Sequence, residues 1–293
     1  MSWNAPANSG ATVMNIGFIG LGNIGAPMAA HLFKQGEPVW VYDVFPEAMQ
    51  PMVARGATAA ESPAALAAAC GYIGICVRDD RDVDALFYEA GLLNNAAAGT
   101  VLAIHSTVTQ ASILRWAKDA NARGLTLVDA PITGGASGAE QGKLCYMVGG
   151  DAKTIAVIRP IISTSAAKIV EAGPLGSGIA LKLCNNLMSY LSFIAMREAA
   201  NLAKASGLAL EKLNEVGAAN GVVTPMMAAF LSGQEAVAPQ GEAAMQKAYG
   251  AFAALGKKDL AAALESADAL GVRMPGTRCA HELITAAFLN QYS

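Results

Sequence analysis

Charge is scarce in this chain: Asp, Glu, Lys and Arg supply only 15% of 293 residues, the formal net charge is −3, and the pI is near 5.7. That balance offers no basic surface for nucleic acid or an anionic membrane, so a small anionic substrate would have to be held by local groups. No Lys or Arg precedes Lys34, and the uncharged stretch from Met1 to Phe33 therefore lacks the basic region of a secretory signal. Long apolar runs are missing as well. The uncharged segments Ala90–Leu114 and Val216–Gln234 are broken by Asn94, Asn95, His105, Asn220 and Pro225, and neither resembles the run of roughly 20 apolar residues that spans a bilayer. The five cysteines (Cys70, Cys76, Cys145, Cys184, Cys279) are odd in number and show no CxxC spacing, which reads as reduced, buried thiols in a cytoplasmic protein. His31, His105 and His281 fall in separate elements, so no metal site is expected. There is no GxSxG elbow and no Cys-His dyad.

Apolar residues, by contrast, make up 54% of the chain, enough to bury a large core. The length favours two domains, since single cores usually stop growing near roughly 250 residues. Residues 1–13 are small, polar and aperiodic, and read as a loose leader. From Met14, β-like runs alternate with Ala-rich helical stretches: Asn15–Ile19, Ala26–Gln35, Val39–Asp43, Pro46–Arg55, Tyr72–Val77, Asp80–Glu89, Val101–Ile104, Thr109–Ala122 and Leu125–Ala130, with further strands at Leu144–Val148 and Lys168–Glu171. Such alternation is the pattern of parallel βαβ units. Beyond Gly178 the pattern changes to one long helix, Ile179 to about Ser206, followed by helices broken at Gly and Pro. The expected fold is thus an N-terminal α/β Rossmann domain with a doubly wound, mainly parallel sheet (14–176), joined by a long helix to an all-α C-terminal domain (177–293).

Within the first half, Gly20-Leu21-Gly22-Asn23-Ile24-Gly25 follows a buried strand and opens a helix, and Asp43 ends the next strand 18 residues after Gly25. In that context GxGxxG supplies a tight turn, close backbone approach to a pyrophosphate and a helix N-terminus aimed at it, while the carboxylate accepts from ribose hydroxyls. Asp43 would repel the 2′-phosphate of NADP, and Val44 and Phe45 stand where an Arg could have received it, so NAD is favoured. The same Asp could instead cap the helix that opens near Pro46.

Gly20–Ala29 closely resembles the GLGxMGxPMA signature of the β-hydroxyacid dehydrogenases, the family of 3-hydroxyisobutyrate dehydrogenase and tartronate semialdehyde reductase. The resemblance runs in order through Cys76–Asp80, Ser106-Thr107, Asp129–Gly135, Gly173–Asn186 and Lys258–Leu260, from about residue 15 to 290. It implies hydride transfer between the cofactor and a small 3-hydroxy acid or its semialdehyde. It also implies a homodimer or homotetramer, and cofactor contacts at Gly20–Gly25, Val77, Thr107 and Lys258.

Gly173–Asn186 is similar to the family's GxxGxGxxxKxxxN. Glycines let the chain turn into a helix, and Lys182 and Asn186, four residues apart, share one face of it. A carbonyl receiving hydride also needs a proton, which Lys182 can supply, and burial beside a positive nicotinamide would have to lower its pKa for the reverse step. Asn186 would orient the substrate or Lys182. The small-residue loop after Asp129, with Thr133, Gly134 and Gly135, offers backbone N–H groups as a nest for the substrate carboxylate. Thr133 replaces the family's usual Ser, and its methyl narrows the site. Adjacent Lys257 allows Lys258 to be read as part of a solvated cluster instead, and His105 reads as a packed strand-end histidine. The chain stops at Ser293 without the longer Gly- and Asp-containing tail of many members. Three alternatives stay open: an NADPH-dependent reductase of small aldehyde acids, an imine reductase on the same fold, and a non-catalytic NAD-binding scaffold.

Overall fold

The structure, a computed structural model, describes residues 14–292; the expected leader, 1–13, lies outside the described residues. Among the described residues nine strands form one sheet: β1 (Ile16–Ile19), β2 (Val39–Tyr42), β3 (Thr58–Ala59), β4 (Tyr72–Ile75), β5 (Val101–Ile104), β6 (Thr126–Asp129), β7 (Ile132–Thr133), β8 (Leu144–Gly149) and β9 (Ala166–Gly173). Their order is β3-β2-β1-β4-β5-β6-β8-β7, with β9 paired to β8. Pairing is parallel from β3 across to β6, β8 runs antiparallel to β6 and β7, and β9 is parallel to β8. β1, β4 and β5 are buried at every position, as strands covered on both faces must be. Alternation sends Ile16 and Phe18 into one core with Met28, Tyr146 and Ile158, and Ile19, Ile73 and Ile75 into the other with Leu66 and Trp116. The connections leave β1 in opposite directions towards β2 and β4, so the carboxyl ends of these strands flank a switch-point crevice.

Several elements differ from the sequence-based expectation. The helix expected over Ala26–Gln35 is α-helical only over Gly25–Leu32 and tightens into a 3₁₀ turn at Phe33–Gln35, ended by Gly36 at φ +77°. Asp79 caps the helix Asp80–Asp84 by accepting from the Arg81 and Asp82 N–H groups, and the chain continues as a π-type turn through Glu89. Unanticipated helices occupy Pro63–Ala69, capped by Ser62, and Ala152–Ser163, capped by Asp151. The stretch read as a plain loop after Asp129 instead forms the short strand β7 and the helix Gly135–Glu140.

The chain divides into two compact units after Lys182, inside the helix Ser177–Ala205 and a little beyond the expected division at 176/177. Ile179, in the helix's first turn, packs in the first unit's core. The second unit contains the helices Leu210–Ala219, Pro225–Val237, Glu242–Ala269 and Pro275–Leu289. Its core stacks Phe193, Phe230 and Phe288, with ring centroids 4.7 to 5.6 Å apart. Ser177–Ala205 is long and apolar enough to cross a membrane, a point missed in the sequence. Within the second unit, however, Tyr190, Phe193, Ile194 and Met196 pack in that core, and fully buried Arg197 pairs with Glu235 at 2.9 Å. The expectation of uniformly buried thiols also needs correction. Cys70 is buried, and burial pushes its thiol up to about 12, but Cys184 and Cys279 are exposed because helical periodicity turns them outward.

Candidate active site

Each glycine of the first motif has its own physical reason. Gly20 sits at φ +92°, and a side-chain carbon there would lie 2.2 Å from the Cys76 carbonyl oxygen. At Gly25 it would lie 1.9 Å from the Gly20 oxygen, so only glycine lets the helix start this close to the turn. At Gly22 it would meet no atom within 4 Å. The missing side chain at Gly22 therefore keeps space clear rather than relieving a clash. Gly22 and Asn23 are exposed, Leu21 is buried, and Ile24 precedes a helix whose first turn has no side-chain cap. Of its first-turn groups, Ala26 and Met28 donate to the Gly22 and Ile24 carbonyl oxygens and Pro27 has no N–H, so the donors this end can offer are those of Gly25 and the loop before it.

Asp43 ties this loop to β2. Its Oδ2 accepts from the Leu21 N–H at 2.6 Å and its Oδ1 from the Phe45 N–H at 2.9 Å. The second bond is a local turn onto Phe45, the N-cap residue of the helix Pro46–Val53, whose own side chain makes no cap bond. An ionised carboxylate has about four acceptor positions, so two engaged by backbone leave others for ribose hydroxyls. Beside it opens a cavity of about 480 Å³ lined by Gly20, Asp43, Phe45, Pro63, Val77 and Leu86, among others. Of these walls, Pro63 and Leu86 were not legible as site residues, because a wall contributed by distant helices has no motif. The Val77 N–H donates to the buried Ser106 Oγ at 2.8 Å, fixing the ends of β4 and β5 side by side; half-buried Thr107 follows. An open cradle at Gly22, an uncapped helix start and a carboxylate at the edge of an apolar cavity fit a dinucleotide.

The substrate nest expected at Thr133, Gly134 and Gly135 has a partly different form. Thr133 is half-buried and pairs with Cys145 on β8, whereas Gly134 and Gly135 are exposed, at φ +128° and +64°. Just upstream, Asp129 is fully buried at the end of β6. Its Oδ1 accepts from the Gly176 N–H at 2.8 Å and its Oδ2 from the Ile179 N–H at 2.7 Å. Burial pushes this carboxyl above its ordinary range, and the backbone N–H bonds pull it back only in part. A carbon added at Gly178 would lie 2.4 Å from the Met147 oxygen, so the glycines after β9 let the chain reach this carboxylate. Asp129 thereby fixes the first turn of the helix that carries Lys182. Sequence reasoning saw it only as the start of a loop.

Lys182 and Asn186 lie one turn apart on that helix, each only 8% exposed. In the second unit Asn186 Nδ2 donates to Asp259 Oδ2 at 2.6 Å, and the Tyr190 hydroxyl donates to the same oxygen at 2.9 Å. Burial, reinforced by the neighbouring carboxylate, pushes the Tyr190 phenol well above its ordinary value, so it remains a donor. Lys258 Nζ lies 3.2 Å from Asp259 Oδ1, which takes Lys258 out of a purely solvated cluster with exposed Lys257. His105 is buried, stacked on Phe18, and bonded to Tyr72 and Ala130, as a packed strand-end residue.

Comparison with known proteins agrees with this geometry. The family described as "NAD binding domain of 6-phosphogluconate dehydrogenase" matches residues 15–173, and "NAD-binding of NADP-dependent 3-hydroxyisobutyrate dehydrogenase" matches residues 176–292. An NAD-dependent L-serine dehydrogenase of Pseudomonas aeruginosa is 37% identical over 69% of this chain and 68% of its own. The 3-hydroxyisobutyrate dehydrogenase of the same organism is 34% identical over 89% of this chain and 88% of its own. The solved structure of Mycobacterium tuberculosis 3-hydroxyisobutyrate dehydrogenase with L-serine superposes with a TM-score of 0.79 at 27% identity, covering 96% of this chain and 100% of that one. A nucleotide-binding sheet followed by a helical unit is the architecture of a two-part oxidoreductase. The chain belongs to the β-hydroxyacid dehydrogenase family.

Proposed function

We propose that this protein catalyses the reversible oxidation of a small 3-hydroxy acid, of the size of 3-hydroxyisobutyrate or serine, with NAD as the hydride acceptor. The observation that carries the reading is the pair of buried polar side chains, Lys182 and Asn186, one turn apart on a helix whose start is fixed by Asp129. A lysine that merely covered apolar surface would keep its head in water.

The bound nicotinamide supplies hydride acceptance and donation. The loop Gly20–Gly25 holds the pyrophosphate, Asp43 the adenosine ribose, and Val77 and Thr107 line the cofactor's path, with Lys258 contributing from the helical unit. Lys182 takes the proton from the substrate hydroxyl in oxidation and returns it to the oxygen in reduction. Asn186 orients the reacting group. Thr133, Gly134 and Gly135 hold the substrate carboxylate through backbone N–H groups and the Thr133 hydroxyl.

Asp43 supports NAD over NADP, because a carboxylate bound to the loop itself would face the 2′-phosphate. Exposed Val44 and Phe45, next in the chain, carry no charge to receive it. Retention of Lys182 speaks against an imine reductase. Exposed apolar side chains of the second unit, including Leu202, Val222, Met226 and Phe252, support a homodimer or homotetramer. Free cysteines support a cytoplasmic setting. A panel of small 3-hydroxy acids, including L-serine and 3-hydroxyisobutyrate, assayed with NAD⁺ and NADP⁺ by the absorbance of the reduced cofactor, tests the reading. Turnover of at least one acid with NAD⁺ preferred is expected; no turnover, or preference for NADP⁺, overturns it.

A further inference from the structure

A carboxylate that is 2% exposed requires compensation, and Asp259 receives an unusual concentration of it on one oxygen: Asn186 Nδ2 at 2.6 Å and the Tyr190 hydroxyl at 2.9 Å. Its other oxygen faces the Lys258 ammonium at 3.2 Å but accepts no aligned hydrogen bond. An ionised carboxylate can only accept, so the end of the Asn186 amide turned to it is the NH₂ group. The amide oxygen is then left on the other side as an acceptor, 3.4 Å from Asn185 Nδ2.

We infer that Asp259, steadied by Tyr190, is a positioning residue that selects the Asn186 amide orientation in which its oxygen is presented as a hydrogen-bond acceptor. Asn186 then receives a proton donor, either the hydroxyl of the alcohol substrate or the Lys182 ammonium, and does not offer its NH₂ to the reacting oxygen. The inference rests on the proposed role of Asn186 in the site. It accounts for the pairing of Asn186 and Tyr190 on one helix face: the first is aimed, and the second holds the group that aims it. Lys258 has a separate position on Asp259 Oδ1, so the two branches can be told apart.

The test is a mutant cycle. Asn186→Ala, Asp259→Leu, Asp259→Asn and Tyr190→Phe are made singly, and the Asp259 and Tyr190 changes are repeated in the Asn186→Ala background. The measurements are kcat, KM and NADH affinity by calorimetric titration. Asn186→Ala should lose roughly tenfold or more in kcat. Asp259→Leu should lose a similar factor in kcat with NADH affinity within about twofold. Asp259→Asn, which keeps an acceptor, should recover most of the loss. In the Asn186→Ala background the Asp259 changes should cost almost nothing further, since residues acting through one another are not additive. Tyr190→Phe should lose roughly two- to fivefold alone and nothing in that background, and it decides the matter if Asp259→Leu does not fold. Normal turnover by Asn186→Ala would remove the underlying reading of the site. An impaired Asn186→Ala with unimpaired Asp259→Leu and Tyr190→Phe, with losses that multiply, or with losses that appear only as weaker NADH binding, overturns the positioning role alone.

Discussion

Acidification from pH 7 to 5 should weaken the first unit through His105. Its Nδ1 lies 2.9 Å from the Ala130 carbonyl oxygen, which can only accept, so the proton of the neutral ring sits on Nδ1. Nε2 then accepts from the Tyr72 hydroxyl at 3.2 Å. The ring is 3% exposed and stacked on Phe18 with centroids 5.9 Å apart. Burial pushes the imidazole down to about 4, against a small opposing contribution from the Ala130 carbonyl. Because the folded value is depressed, the neutral form is favoured in the folded state. The associated stability is present above the unfolded value of about 6.5 and is lost as pH falls towards 4. A difference of about 2.5 units corresponds to about 3 kcal/mol, of which about 2 kcal/mol is gone at pH 5. Urea unfolding between pH 7 and 5 should therefore show a falling midpoint in the wild type and a shallower fall in His105→Gln, which does not titrate. Imidazole NMR resonances should show no titration step for His105 between pH 8 and 5. Equal pH slopes for the two proteins, or a His105 step near pH 6.5, would refute the reasoning.

Other consequences follow from the candidate site. Lys182→Ala should lower kcat by roughly 10²-fold or more with NADH affinity nearly unchanged, measured by steady-state kinetics beside titration. Gly22→Val should leave circular dichroism intact, because no atom lies within 4 Å of the added carbon, yet abolish NADH binding in calorimetry. Asp43→Asn, especially with Val44→Arg, should move the kcat/KM ratio towards NADP. The single change should also weaken NAD, since an amide can serve only one of the two backbone donors as the carboxylate does.

The parts of this molecule that were legible in the sequence are those governed by local rules. Ile16–Ile19, Gly20–Gly25 and Asp43 form a strand, turn and carboxylate whose spacing is dictated by the backbone, and they occur where the pattern put them. The β5 strand matched residue for residue at Val101–Ile104, a short buried run bounded by turn residues. The elements that escaped notice were short or compositionally plain. Pro63–Ala69 is almost entirely alanine and leucine, and Ala152–Ser163 carries an internal proline, so neither shows a clear period. Thr133 was assigned to a loop because its strand has only two residues and exists through pairing with β8. Asp129 and Asp259 act across intervals of 47 and 73 residues, and no local pattern records which backbone or side-chain donors will meet them.

The Asp129 carboxylate also defines where the molecule can change length. The chain leaves β6 at Asp129 and comes back to the same side chain at Gly176 and Ile179, so everything between is an excursion closed at its base. Lengthening a closed excursion adds only about 0.6 kcal/mol for each doubling of a flexible loop. The turn at Gln141–Lys143 lies within it, with Gln141 and Lys143 exposed. A peptide grafted at that turn would extend the excursion's outer edge while the base stayed shut, leaving the register of the helix that bears Lys182 untouched. The first unit thus has an exposed turn at which the chain can lengthen without disturbing the start of the Lys182 helix, although the helix Gly135–Glu140 ties that turn directly to the loop proposed to hold the substrate carboxylate.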